Sequence, residues 1–425
     1  MIRLRTALRA MPAFWLAIPI CVLAAAYVGF LYPSDGYAVD ASAQGTSTLG
    51  FIAPFVAASA AWEGSRLRRG RVWSAPSVRS RLAIGFWAVV PAVLVGVLAV
   101  TVAIVAQLAR SGGGLPDARF IAMSALDLAG FGALGLALGL LLPFAVAGPV
   151  AIVLPFLWLA FLPAMDPLWL RHLTGMFRDC CGLERDLDLK AAMASGLVDA
   201  GIIGAAALLV SGGAGMLRRV VVPAVPLALS LAVGVALVSG MTYSPTVARD
   251  PAALDCSTTD GVTVCTWPEH RQRADEVAGI VRDVRTVWQA AGIPAPSVYT
   301  EADASVKPEG ALAFSFNGAL SQRDDIINSL AYSMAPPFPD CPGGSTGAIV
   351  LDYLQAWYAA AGGMSQAGLE DQYGYTQGPP YPEVLAVVVD LEAATPEVRR
   401  EWMARAERLS QMCEGLPIDQ IAVVP

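Results

Sequence analysis

The sequence predicts a helical membrane bundle of about seven spans followed by an extracytoplasmic α+β domain. Three observations carry that prediction. Of the 425 residues, 56% are hydrophobic and only 15% charged, and the apolar residues fall in long runs that end near Met241. Charge divides at the same place: after Met241 there are 24 acidic and 11 basic residues, a balance of −13, which leaves +6 for residues 1–241. An arginine island, Arg66, Arg68, Arg69, Arg71, Arg79 and Arg81, separates two of the apolar runs. Each charge costs about 2.5–3.5 kcal/mol at the centre of a spanning helix, so these six stay out of the hydrocarbon. The positive-inside bias places their loop, 62–81, in the cytoplasm.

Every other orientation follows from that loop. Residues 1–12 carry Arg3, Arg5 and Arg9 between Ile2, Leu4 and Leu8, and read either as a short amphipathic helix on the membrane surface or as a basic flank that sets orientation. A first span is expected over 14–32, enough for a hydrocarbon core of ~30 Å. Ala41-Ser42-Ala43 resembles a signal cleavage site but lies too far beyond the apolar run, so the helix is read as uncleaved. An outside loop, 33–47, follows, and a second span over 48–62 returns to the arginines. A third span over 82–107 leads out to the glycine-rich loop 111–116, and a fourth over 120–142 comes back. The run 121–163 is too long for one helix, so a short uncharged turn at 143–149 and a fifth span over 145–162 divide it. Residues 166–190 lie outside with balanced charge. A sixth span over 191–217 ends inside at Arg218-Arg219, and a seventh covers 220–241. Seven spans from an internal amino terminus make this a multi-pass protein of the plasma membrane, with the acidic domain, 242–425, outside.

Cysteine gives an independent check. Of seven cysteines, only Cys21 falls within a span, while Cys180, Cys181, Cys256, Cys265, Cys341 and Cys413 all fall outside, where disulfides persist. Asp260-Gly261 is a strong two-residue hairpin signal. With it as the turn, Cys256 faces Cys265 as a non-hydrogen-bonded pair, about 4.5 Å apart at Cα and within disulfide reach. Cys341 with Cys413 follows by elimination, out of the three connectivities that four cysteines allow. Cys180 and Cys181 pair with each other or with another chain. Apolar spacing predicts further helices over 269–291, 324–334, 348–361 and 396–413, the last capped by Thr395 with Pro396 at its first position, and strands over 297–300 and 311–316.

Few chemistries survive a search for motifs. No Gly-x-x-x-x-Gly-Lys-Ser/Thr occurs, so an ATP-driven role requires a partner ATPase. The chain has only two histidines, His172 and His270, which rules out the paired-histidine zinc peptidase motif, and no Gly-x-Ser-x-Gly elbow. No catalytic residue, metal or cofactor is therefore expected, and the chain is read as not an enzyme. The acidic outer half argues against a nucleic-acid partner. Asp127 in the fourth span and Asp199 in the sixth are functional candidates as ionisable residues in apolar surroundings. Both are expected near the outer ends of their helices, where water reaches them, which favours a packing or interfacial role over a proton or transport role. Gly130, Gly132, Gly135 and Gly139 line one face of the fourth span and permit close helix packing, within the subunit or in a dimer.

The order of parts in residues 1–217 resembles a bacterial ABC-type exporter permease: a basic start, two spans, a basic loop containing Arg66 to Arg81, then four more spans with an interrupted outside segment, 166–190, before the sixth. The appended outer part, with Cys265-Thr266-Trp267-Pro268-Glu269-His270, is similar to that of permease-like membrane proteins of high-GC Gram-positive bacteria. The resemblance implies a separate ATP-binding subunit, a homo- or heterodimer, a coupling helix within 66–81 that docks on the ATPase, and a second, weaker contact at the turn 143–149. A seventh span and the large outer domain depart from the usual pattern. They leave an alternative in which the outer domain works as a receptor, immunity factor or scaffold and the spans anchor it.

Overall fold

The computed structural model describes residues 11–72, 79–178, 180–211, 216–318, 320–341, 345–374 and 381–423, with the backbone alone over 216–220. The basic start with Arg3, Arg5 and Arg9 lies outside the described residues, as do the side chains of Arg218 and Arg219. The chain divides into two compact units, Met1–Val247 and Ala248–Pro425.

In the first unit a helix occupies each expected span position: α1 Pro12–Val28, α3 Leu49–Arg69, α4 Arg81–Arg110, α5 Ala118–Leu141, α6 Phe144–Phe161, α7 Leu189–Ser211 and α8 Met216–Val238, with α2, Ala38–Gly45, placed between the first two. Among the described residues, five segments are long and apolar enough to cross a membrane: α4, α5, α6 with its following turn, α7, and α8 from Val221. Apolar α1 has only 17 residues. Helix α3 differs in kind, because Ala, Gly and Ser dilute its apolarity. Twelve of its 21 residues are buried, and it packs against α1, α4, α5 and α6. Small residues let four neighbours approach one backbone, which makes α3 the centre of the bundle.

The glycine stripe is used within the subunit. A methyl carbon at Gly135 would fall inside the Ala57 carbonyl oxygen of α3, and one at Gly139 inside the Ala61 carbonyl oxygen. On the other side of the same contact, one at Gly64 would lie 2.5 Å from the Leu136 carbonyl oxygen. Gly132 faces Val89 of α4, and Gly130 faces Asp199 of α7.

Three boundaries differ from expectation. The outside loop 33–47 contains α2, which runs through a short 3-10 turn, Thr46–Thr48, into α3. Its hydroxyls bond back to their own turns, Ser42 Oγ to the Ala38 carbonyl and Thr46 Oγ1 to that of Ala43. The turn between α5 and α6 is only Leu142-Pro143. Pro143, at φ −62 and ψ 148, caps α6 so that Pro149 lies inside the helix. The interrupted segment 166–190 folds as short 3-10 turns and β1, Arg185–Leu187, which shares a two-stranded sheet with β2, Thr246–Ala248. Cys180 is bonded to Cys181 there, in an apolar cluster with Phe120, Phe177 and Leu187.

The second unit is built on a mixed sheet in the order β3 Asp255–Thr259, β4 Val262–Thr266, β5 Val298–Thr300, β6 Leu312–Ala313. Asp260 and Gly261, at φ 53 and 73, make the turn that Asp-Gly favours. The β3–β4 register pairs Cys256 with Cys265 as expected, and their disulfide spans 4.0 Å between Cα atoms. A 3-10 turn, Pro268–Arg273, leads into α9, Ala274–Ala290, which carries the chain from β4 to parallel β5. The expected strand 311–316 shrinks to two residues, Leu312 and Ala313, because β5 is only three residues long; the last bond to it is from Phe314 N–H to the Thr300 carbonyl. Five further helices, α10 Arg323–Met334, α11 Ala348–Ala361, α12 Gln366–Tyr373, α13 Val384–Ala393 and α14 Pro396–Ser410, complete the unit. Sequence spacing missed α12 and α13. The core holds Trp288, Tyr299, Tyr353, Trp357 and Trp402, all nearly inaccessible. A Cys341–Cys413 disulfide, 5.4 Å between Cα atoms, is also present.

Candidate functional site

The arginine island runs from the C-terminal end of α3 to the first residue of α4. Arg66, Arg68, Arg69, Arg71, Arg79 and Arg81 are all exposed. Arg66 Nη1 pairs with Glu63 Oε1 at 3.0 Å, and the Arg69 guanidinium lies 5.7 Å from the Trp62 ring centre. Arg68 Nη1 donates to the Leu141 carbonyl at 3.0 Å, one of the last carbonyls of α5, which lack helical donors. Trp62 meets Phe144 edge-on, 4.8 Å between ring centres. The end of α3 and the α5–α6 turn therefore form one surface. Ser80 caps α4 by accepting from Ala83 N–H. The middle of the loop, 73–78, lies outside the described residues, and with it any separate coupling helix.

Asp127 and Asp199 are not where water reaches them. Asp127 is the tenth residue of α5 and Asp199 the eleventh of α7; they are 2% and 5% exposed, and Asp199 lies against Gly130, one helical turn beyond Asp127 on α5. Helix α7 begins at Leu189 and α5 at Ala118, each two residues before the expected span, and neighbouring helices cover both acids. A groove of about 440 Å³ between α4, α5 and α7 is lined by apolar side chains such as Val89, Val93, Ala133 and Ile203 and offers no group for chemistry.

A second acid lies in α2. Burial pushes the Asp40 carboxyl up to about 6, against hydrogen bonds from Ser34 and Gln44, with Asp35 and Glu184 adding repulsion. Gln44 Nε2 donates to Asp40 Oδ2 at 3.0 Å, and Gln107 Nε2 donates to Gln44 Oε1 and to the Tyr32 carbonyl. Asp40 thus touches the polar network that joins α2 to α4. Its folded state holds the proton more tightly than the unfolded state, whose value is about 3.9, so its contribution is complete below pH 4 and is lost as pH rises through about 6. In Asp40→Asn that loss should vanish: the thermal midpoint of the detergent-solubilised chain falls less between pH 4 and 7 than in wild type.

In the second unit, the Trp267-Pro268-Glu269-His270 segment forms a buried clamp. Glu301, beyond β5, accepts the Trp267 backbone N–H at Oε2, 2.8 Å away, and its Oε1 lies 2.8 Å from His270 Nδ1. Trp267 Nε1 donates to the Glu301 carbonyl at 3.0 Å. The His270 ring packs on Phe316 with 4.1 Å between centres, and the Arg249 guanidinium covers the Trp267 ring while pairing with Glu269. Pro268 and Glu269 open a 3-10 turn rather than the helix itself, and Glu269 serves as the partner of Arg249. His270 is 2% exposed, and its contacts with Glu301 and Phe316 tie the turn to the sheet. Glu301 escaped sequence reasoning because it is 31 residues from His270.

Residues 264–413, from β4 to the second cysteine of the Cys341–Cys413 bridge, match the family model of a domain of unknown function, DUF7224. No curated protein and no solved structure matches the chain.

Proposed function

We propose that the chain is the membrane subunit of an ABC-type export system, a seven-span protein of the plasma membrane that includes α1 and α3 among its spans, works as a dimer and carries its disulfide-bonded domain outside. A separate ATP-binding subunit supplies the energy and holds the ATP. The observation that supports this reading is the joining of the arginine end of α3 to the α5–α6 turn through Arg68–Leu141 and Trp62–Phe144. Those are the two cytoplasmic contacts that the resemblance to exporter permeases implies. Motion imposed there enters α3, whose backbone contacts with α5 at Gly64, Gly135 and Gly139 leave no slack. A push on the arginine surface moves α3 and α5 together and reorganises access between the two sides.

The test is co-purification from native membranes after mild crosslinking. Wild type should bring down an ATPase, and the quadruple change of Arg66, Arg68, Arg69 and Arg71 to Ala should lose it at unchanged helical content. Wild type that brings down no nucleotide-binding protein would defeat the reading. The family match, which falls wholly in the outer unit, then favours the second reading, a receptor, immunity or scaffold protein that acts through that domain.

A further inference from the structure

We propose that Asp127 and Asp199 form a proton-binding site inside the helical bundle, one proton being held between the two carboxyls. Ionised carboxylates only accept hydrogen bonds, so a bond between two of them requires a proton on one. These two are buried side by side on neighbouring helices, α5 and α7: Asp199 lies against Gly130, one turn beyond Asp127 on α5. Asp127 lies nine residues beyond the start of α5 and Asp199 ten beyond that of α7. At 1.5 Å per residue these are depths of about 14–15 Å, half of a ~30 Å hydrocarbon core. Two adjacent negative charges at that depth repel each other and lack water. A single proton removes one charge and supplies the bond.

Two further polar atoms mark the place as a site rather than a buried accident. Asp127 Oδ2 and Ser124 Oγ, one turn earlier on the same helix face, are both buried without a hydrogen-bond partner among the described residues. Among the described residues, the ionisable group acting on Asp127 is Asp199 itself. On α7 the Ser195 hydroxyl is bonded to the Ala192 carbonyl, and on α8 that of Ser230 to Leu227. In the segment before β1, Thr174 Oγ1 bonds the Arg171 carbonyl, His172 Nε2 meets the Thr242 carbonyl, and the Arg171 guanidinium lies over the Tyr243 ring.

Glycines bring the backbone onto the pair from both sides. A methyl carbon at Gly130 would be 2.9 Å from Asp199 Oδ1, and one at Gly175 would fall inside both Asp127 oxygens. Gly175 holds φ +73, a conformation that side chains resist. It covers the pair from the segment that follows α6. A proton can leave in that direction only if the 174–176 segment moves, so occupancy of the pair and the position of that segment are linked. The inference does not depend on the ATPase reading.

Infrared difference spectroscopy of the full chain in nanodiscs at pH 7 tests it. Wild type should show the carbonyl band of a neutral carboxylic acid that shifts in D2O and is lost, one acid per chain, in Asp127→Asn/Asp199→Asn. Should that double variant fail to fold, Asp199→Asn alone must move the band, because the neutral acid then bonds an amide. Absence of the band from wild type overturns the proposal, as does a band that Asp199→Asn leaves unchanged. Loss of the band on replacing choline chloride by sodium chloride also overturns it, since a metal cation would then hold the place of the proton.

Discussion

Gly135→Leu/Gly139→Leu is expected to prevent assembly of the helical bundle. The added side chains would start inside the Ala57 and Ala61 carbonyl oxygens, and these belong to backbone that cannot rotate away. Inserting even single methylenes into a packed core costs about 1–3 kcal/mol; here two leucines meet rigid backbone, so α3 and α5 must separate along the length of their contact. Gly50→Ala, on α3 with nothing within 4 Å of the added carbon, is the control and should stabilise by up to ~1 kcal/mol through helix propensity. Size-exclusion chromatography and thermal midpoints in detergent distinguish the two. A monodisperse double leucine variant with an unchanged midpoint and a lost dimer would move the glycine contact from within the subunit to between subunits.

What could be read from sequence was the local chemistry. Asp260-Gly261 fixes its own φ values and, through the period of two along a strand, the whole β3–β4 register down to the Cys256–Cys265 bridge. Thr395 and Pro396 announce α14 in the same way: Thr395 Oγ1 accepts from Val398 N–H. Helix α11 begins and ends where apolar spacing places it. Hydropathy located the helices of the first unit but not their roles. In α3 the alanines and glycines lower the apolar signal, and a low signal reads as a weak span, whereas small side chains place this helix at the centre. The same limit applies to Asp127 and Asp199. They are 72 positions apart in sequence, so a linear reading could see two acids in apolar runs but not that the fold buries them side by side.

Glu301→Ala should cost the second unit, Ala248–Pro425, the most of any single change there. Glu301 is 3% exposed and accepts from the Trp267 backbone while binding His270 at the start of the turn that feeds α9. Removing this acceptor leaves the buried Trp267 N–H and His270 ring without it, at about 1–3 kcal/mol for each group left unsatisfied, a large part of the 5–15 kcal/mol that holds a typical domain folded. The loss strikes where β4, β5 and α9 are tied together, because Glu301 N–H also bonds the Cys265 carbonyl and the Trp267 ring spans back to the Glu301 carbonyl. Glu301→Gln keeps the length and one acceptor oxygen, and should cost less than half as much. Limited proteolysis of the intact chain under rising urea reads the difference: the alanine variant should be cut within Ala248–Pro425 at markedly lower urea than wild type, with glutamine between them. The Cys341–Cys413 bridge closes a separation of 72 residues and contributes roughly 4 kcal/mol by limiting the unfolded chain, so the experiment is run without reductant. Equal resistance of alanine variant and wild type would show that the sheet, not the clamp, holds the turn, and His270 would lose its structural assignment.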